Sequence, residues 1–211
     1  MDYSKREEIA NSITHGIGVL FSIVALTILL IYSIWQKSAV SIVAFSIYGL
    51  CSILLYLSST LYHSFQKEKL KRLFRLFDHS SIYLFIAGTY TPVALLALEG
   101  AWRIGILTSV WVIAILGIVF KICTYNKLDR LKMVSVAMYV AMGWIVVIAV
   151  KPMLQTVPLG FFLWLLAGGL VYTLGTIFYS AKKIPYSHAI WHFFVLAGSA
   201  LHFIGLFIYL V

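Results

Sequence analysis

On three observations this chain reads as an all-α integral membrane protein, a bundle of seven transmembrane helices with a cytoplasmic N-terminus and an extracytoplasmic C-terminus. First, 62% of its 211 residues are hydrophobic and only 11% charged, against about 45–50% and 25% in ordinary soluble domains. Second, its apolar residues fall into seven runs, each long enough to cross about 30 Å of hydrocarbon. Third, its Lys and Arg residues are distributed unevenly between the loops that join those runs.

The runs succeed one another with little between them, so residues 1–211 form a single membrane domain. The opening MDYSKREEIANSITHG mixes acids and bases and lacks a small-residue cleavage site. The first run, about 13–35, is therefore expected to remain as a helix and not to be removed as a signal peptide. The second runs over about 40–64 and the third over about 78–98, the latter opening on Asp78 and containing Gly88 and Pro92. The remaining four cover about 102–123, 133–150, 158–181 and 186–210. Unpaired backbone groups are too costly in lipid for open strands, and no run alternates as a barrel strand does, so each is a helix. Between the second and third runs, KEKLKRLFRLF places Leu70, Leu73, Phe74 and Phe77 at i, i+3, i+4 and i+7 among bases. That pattern describes a short cationic helix lying on the inner leaflet.

Orientation is set by the cations. Lys5, Arg6, Lys67, Lys69, Lys71, Arg72, Arg75, Lys121, Lys127, Arg130, Lys132, Lys182 and Lys183 belong to the N-terminal side, and only Lys37, Arg103 and Lys151 to the other. Thirteen against three places the N-terminus in the cytoplasm. The formal charge of +9 is thereby explained by membrane topology, and nucleic acid is not expected as a partner. Cys51 and Cys123 fall at different depths and have no CxxC partner, so both read as packing residues.

With orientation assigned, scattered polar residues meet at one depth. His63 lies near the inner end of the second span, Asp78 at the inner end of the third, and His188 and His192 in the first turns of the seventh. Four helical residues advance about 6 Å and turn about 40° around the axis, so the last two imidazoles share a face. Three histidines suit Zn²⁺, which in catalytic sites typically keeps a fourth position for a water of lowered pKa. Asp78 would hold or deprotonate that water, although an aspartate there also suits an N-cap. Ser59, one turn before His63, would hydrogen-bond to the site. His15, in EEIANSITHG, is close enough in depth to be a reserve ligand, with a hydrogen-bonding role preferred. His202 lies about 15 Å deeper than His192 and reads as a packing residue. It nevertheless belongs to a polar seam with His188, His192 and Ser199 that should face the bundle interior. His79 points about 100° away from Asp78, towards the headgroups.

EEIANSITHGIG, the SxxxH of Ser59 and His63, FDHSSIYLFIAGTYTP, and HAIWH with the later ALHF together resemble the haemolysin III branch of the progestin and adipoQ receptor family, over almost the whole chain. The resemblance implies seven helices with the N-terminus inside. It also implies zinc on His63, His188 and His192, with Asp78 reaching the ion through water. The same family is grouped with alkaline ceramidases among membrane hydrolases. The expected activity is accordingly zinc-dependent hydrolysis of a lipid amide or ester, ceramide-like in kind, with a membrane lipid as substrate or ligand. Two other classes stay open: a membrane-active cytolysin, as the family name implies, and a membrane sensor in which zinc is structural.

Overall fold

A computed structural model describes residues 3–181 and 183–211. Lys182, one of the inner-side cations, lies outside the described residues. The helices are α1 (Lys5–Trp35), α2 (Ala39–Ser64), α3 (Glu68–Ala97), α4 (Gly100–Cys123), α5 (Lys132–Gly143), α6 (Val150–Met153), α7 (Leu159–Ser180) and α8 (Ser187–Leu210). A 3₁₀ turn over Trp144–Ala149 joins α5 to α6, and the three pieces together make the fifth span. Among the described residues there are thus seven helical segments apolar and long enough to cross a membrane, and no strand.

Two helices start earlier than their apolar runs. In α1 a capping box supplies the reason: the Glu7 amide donates to Ser4 Oγ at 3.3 Å, and the Ser4 amide donates to Glu7 Oε2 at 2.9 Å. These bonds satisfy donors that a helix start leaves open, so the helix begins two turns before the hydrophobic stretch. In α3 the cationic segment expected to lie separately on the leaflet instead continues without a break into the span. Arg75 holds it against the α4–α5 connection, donating from both guanidinium nitrogens to Asp129, while Arg72 sits over the Tyr125 ring at 5.5 Å. Asp78 is consequently ten residues inside a helix, which rules out the N-cap role.

The fifth span breaks for an identifiable reason. The Tyr90 hydroxyl donates to the Gly143 carbonyl at 2.7 Å and accepts from the Val146 amide at 2.7 Å. A side chain inserted in the backbone ladder ends the α-helical register there.

α3 is the axis of the bundle. It packs on α2, α4, α5 and α8, and 67% of its most apolar window is buried, against 17% for the fifth span. α8 closes the bundle by packing on both α7 and α1. The chain enters α8 through Tyr186, whose φ of 57° is left-handed and whose amide donates to Glu7 Oε1 at 3.2 Å. That bond ties the start of α1 to the start of α8. Close approach between helices is made at glycines: Gly18 lies against the ring of Tyr56 and Gly198 against Tyr172, leaving no room for a methyl group. Lys121, expected from the sequence to be a loop cation, is instead buried in the last turn of α4, with Nζ 2.5 Å from Ser135 Oγ.

Candidate metal centre

His63 near the end of α2, and His188 and His192 in the first turns of α8, converge at the end of the bundle that carries the N-terminus. One ligand nitrogen from each lies within 4.8 Å of the other two. His63 and His192 are buried; His188 is half-buried as a residue, but its Nε2 is closed off from solvent.

Hydrogen bonds on the far side of two of these rings determine which nitrogen is free. His63 Nδ1 is 2.6 Å from Glu8 Oε2, and a carboxylate there requires Nδ1 to carry the proton. His192 Nδ1 is 3.1 Å from the Asn11 carbonyl, an acceptor only, with Thr14 Oγ1 also at 3.1 Å. Both rings therefore hold the Nδ1–H tautomer, leaving the Nε2 lone pair as the ligand. Such bonding of the second nitrogen is the usual accompaniment of histidine ligation.

The surrounding polar atoms fit an ion as well. His63 Nε2, His188 Nε2, Ser59 Oγ, Asn11 Oδ1 and both nitrogens of His15 are buried without a hydrogen-bond partner among the described residues. Unsatisfied atoms of this kind are rare in folded proteins, and two of these sit on histidines of the cluster itself. Tetrahedral zinc with bonds of about 2.0–2.1 Å spaces its nitrogens roughly 3.4 Å apart, a separation inside the 4.8 Å that bounds the three ligand nitrogens. The donors are three imidazole nitrogens, a borderline-soft set suited to Zn²⁺. These three buried histidines could hold a metal ion.

The other residues singled out from the sequence separate into near and far. The buried carboxylate Asp78 lines the cavity beside His188 and His192 but is not one of the gathered ligand atoms. Ser59 is fully buried and close enough to influence the Asp78 carboxylate, yet its Oγ falls short of hydrogen-bond geometry. His15 stacks on the His192 ring with centroids 3.5 Å apart, and among the described residues neither of its nitrogens has a hydrogen-bond partner. His202 is remote: its Nε2 pairs with the Leu165 carbonyl at 3.1 Å. The seam faces the bundle interior as expected: His188, His192 and His202 line the cavity, and the fully buried Ser199 is taken up by the hydroxyls of Tyr56 at 2.6 Å and Tyr172 at 2.9 Å. His79 faces this cavity and not the headgroups, with its Nδ1 buried.

Three participants are not evident from the sequence. Glu8 and Asn11 orient two of the ligands, and Tyr3 stacks on His188 with centroids 5.0 Å apart and lies 5.9 Å from His63. Burial pushes the Tyr3 hydroxyl well above its ordinary pKa, which keeps it neutral over the site. Glu8, Asn11 and His15 have the i, i+3, i+7 spacing of one helix face, a signal available in the sequence once the capping box extends α1.

Two of the three histidines, His188 and His192, line a cavity of about 150 Å³ together with Asp78 and His15. Its walls are mostly apolar and come from α3 (Ile82, Phe85, Ile86), α5 (Val136, Val140), α7 (Gly169, Tyr172) and α8 (Trp191, Val195). A smaller cavity of about 50 Å³ shares Thr89, Tyr90, Trp144, Gly169 and His202 with it and carries the space on towards Phe162 and Leu165. The arrangement is a metal-binding polar end joined to an apolar slot.

Comparison with known proteins agrees in extent with this architecture. A family described as "Haemolysin-III related" matches residues 3–203. Hemolysin-3 of Bacillus cereus is 46% identical over 98% of this chain and 93% of its own length. The Hemolysin-3 homolog of Bacillus subtilis (strain 168) is 49% identical over 99% of this chain and 97% of its own. The human monocyte to macrophage differentiation factor is 32% identical, over 97% of this chain and 84% of its own.

Proposed function

From the premise that this chain belongs to the haemolysin-III-related family and is a multi-pass bacterial membrane protein, we propose that it is a zinc-dependent hydrolase acting on a lipid amide or ester. The observation that carries this reading is a three-histidine cluster, two of whose members, His188 and His192, line the polar end of an apolar cavity together with Asp78. A structural ion is usually enclosed by four protein ligands, whereas three ligands beside a cavity leave one side for a reactant.

Zinc held by His63, His188 and His192 would supply Lewis-acid polarisation of the scissile carbonyl and a water that is acidic near neutral pH. Asp78 is the general base: it takes the proton of the attacking water and returns it to the leaving nitrogen or oxygen. Ser59, one turn from His63, donates to that carboxylate during the cycle and keeps it aimed at the cavity. The walls from α3, α5 and α7 receive an acyl chain and exclude bulk water, which strengthens every polar interaction at the reacting end. Substrate enters sideways from the bilayer between the fifth and sixth spans, where the Trp144 indole reaches across to Thr173 Oγ1 at 3.1 Å. The excess of Lys and Arg around this end supports a site at the cytoplasmic face.

The relatives' name suggests a second reading, lysis of other membranes. A cavity of about 150 Å³ argues for holding a chain and against a wide pore. Purified protein in liposomes, offered lipid amides and esters, tests both readings. Metal-dependent turnover without dye leakage is the expected result; leakage that persists in His188→Ala and His192→Ala variants, with no turnover of any lipid, would replace the hydrolase with a lytic protein.

A further inference from the structure

One buried acid lies directly behind the ligands. Glu8 is a carboxylate only 5% exposed, and each of its oxygens is committed: Oε2 to His63 Nδ1 at 2.6 Å, Oε1 to Lys71 Nζ at 2.5 Å. Lys71 stays in place over the Tyr62 ring, with Nζ 5.3 Å from its centroid. Three helices thus meet in one chain of hydrogen bonds, α1 through Glu8, α2 through His63 and α3 through Lys71.

Burying a carboxylate costs several kcal/mol unless both of its sides are paired. A purely structural ion pair would satisfy Lys71 alone. Here the second oxygen is spent on an imidazole, and on the nitrogen opposite the one that is buried and has no hydrogen-bond partner among the described residues. The consequence is chemical as well as geometric. A charged acceptor on Nδ1–H fixes the tautomer, stops the ring from turning, and makes Nε2 a stronger donor to a cation. The Glu7 side chain, one residue earlier, provides an internal contrast: it bonds Ser4 and the Tyr186 amide, serving the helix start and the α8 entry, and bonds no histidine among the described residues.

We infer that Glu8 is a positioning residue of the metal centre, presenting His63 Nε2 to the ion, and that Lys71 holds the Glu8 carboxylate in that place. This role rests on the three-histidine cluster being a metal site. The same logic makes α1 part of the site and not merely a lipid-facing wall, since Asn11 treats His192 in the same way through its backbone carbonyl.

Titration of Co²⁺ into the purified, metal-stripped full-length protein, monitored by its visible d–d absorption, separates the possibilities. Glu8→Ala is expected to weaken Co²⁺ binding by about 10- to 100-fold. Glu8→Gln, whose amide oxygen can still accept from Nδ1–H without a charge, should fall between it and the parent. Glu7→Gln should bind as the parent does. A changed absorption band in Glu8→Gln at saturating Co²⁺ would mark an altered ligand field, which a loosened helix start does not produce. If Glu8→Ala does not fold, Glu8→Gln carries the test. Equal affinity and an unchanged band in Glu8→Gln and the parent would overturn the role of Glu8 while leaving the metal centre standing. So would an equal loss in Glu7→Gln and Glu8→Gln. No Co²⁺ binding by the parent would remove the metal reading, and this inference with it.

Discussion

Gly168 and Gly169 are adjacent in the middle of α7, yet the structure assigns them opposite responses to the same mutation. A methyl group at Gly168 would run into the His202 ring and lie 3.2 Å from the Gly198 carbonyl. It would push His202 away from the Leu165 carbonyl that its Nε2 holds at 3.1 Å. Overpacking of this kind costs about 1–3 kcal/mol. At Gly169 the same methyl meets nothing within 4 Å, because it points into the space shared by the two cavities. Replacing a mid-helix glycine by alanine is otherwise favourable by about 1 kcal/mol. At Gly169 that gain should be expressed in full; at Gly168 it offsets only part of the clash. The two variants should therefore differ by about 1–3 kcal/mol. For a chain of this size roughly 2–4 °C of melting temperature accompanies each kcal/mol, so a gap of about 2 kcal/mol appears as roughly 4–8 °C. Thermal unfolding in one detergent, with Gly169→Ala the more stable, is the expected outcome. Equal melting temperatures, or the reverse order, would refute the assignment of which glycine faces the cavity. The functional arm is Gly169→Leu, whose side chain fills the slot: it should lose lipid turnover while binding metal like the parent.

Single contacts elsewhere make further predictions. Asp78→Asn should retain the bound ion, because the proposed ligands are the three histidines, and lower the turnover of lipid by at least about 100-fold, the lower range for loss of a general base; lost metal in that variant would make Asp78 a ligand instead. The Asp129 carboxyl is held below its usual pKa by the hydrogen bonds it accepts from Arg75. A depressed folded value means that its stabilisation is complete above the unfolded pKa of about 3.9 and disappears as pH falls through the folded one. Because the Asp129 side chain is 61% exposed, the effect stays below about 1 kcal/mol. Asp129→Asn should accordingly lower the melting temperature slightly at pH 7 and converge with the parent as the pH falls well below about 4, so that its own fall on acidification is shallower. Lys121→Met exchanges a buried ammonium for an apolar chain of similar length and should leave stability unchanged or raise it, whereas Ser135→Ala, which removes the Nζ partner, should lower it by about 1–3 kcal/mol; parallel melts compare them.

The spans were legible because an apolar run must cover the hydrocarbon thickness, and the structure departs from the expected boundaries chiefly where charge begins before the helix ends. At α1 and α3 polar residues stop the apolar run, but Ser4, Glu7 and the Arg75–Asp129 tie carry the helix beyond it. That extension hid Glu8 and Asn11, since an acid outside a span reads as a solvated one. His63, Asp78, His188 and His192 were legible because rise per residue converts position in a span into depth, and depth can be compared between helices. The cavity was not. Its walls are ordinary apolar side chains, and its location depends on the break in the fifth span made by the Tyr90 hydroxyl, a contact between distant residues. Ser199 shows the same limit: one wheel position does not say which neighbouring tyrosine will claim a hydroxyl.

The most direct test of the metal centre is elemental analysis of the purified chain beside His63→Ala, with melting temperature recorded for both. A single zinc ion per chain is expected in the parent, and its loss from His63→Ala with the helical fold retained. Absence of zinc from the parent after exposure to it, or an equal amount held by both proteins, would contradict the three-histidine centre.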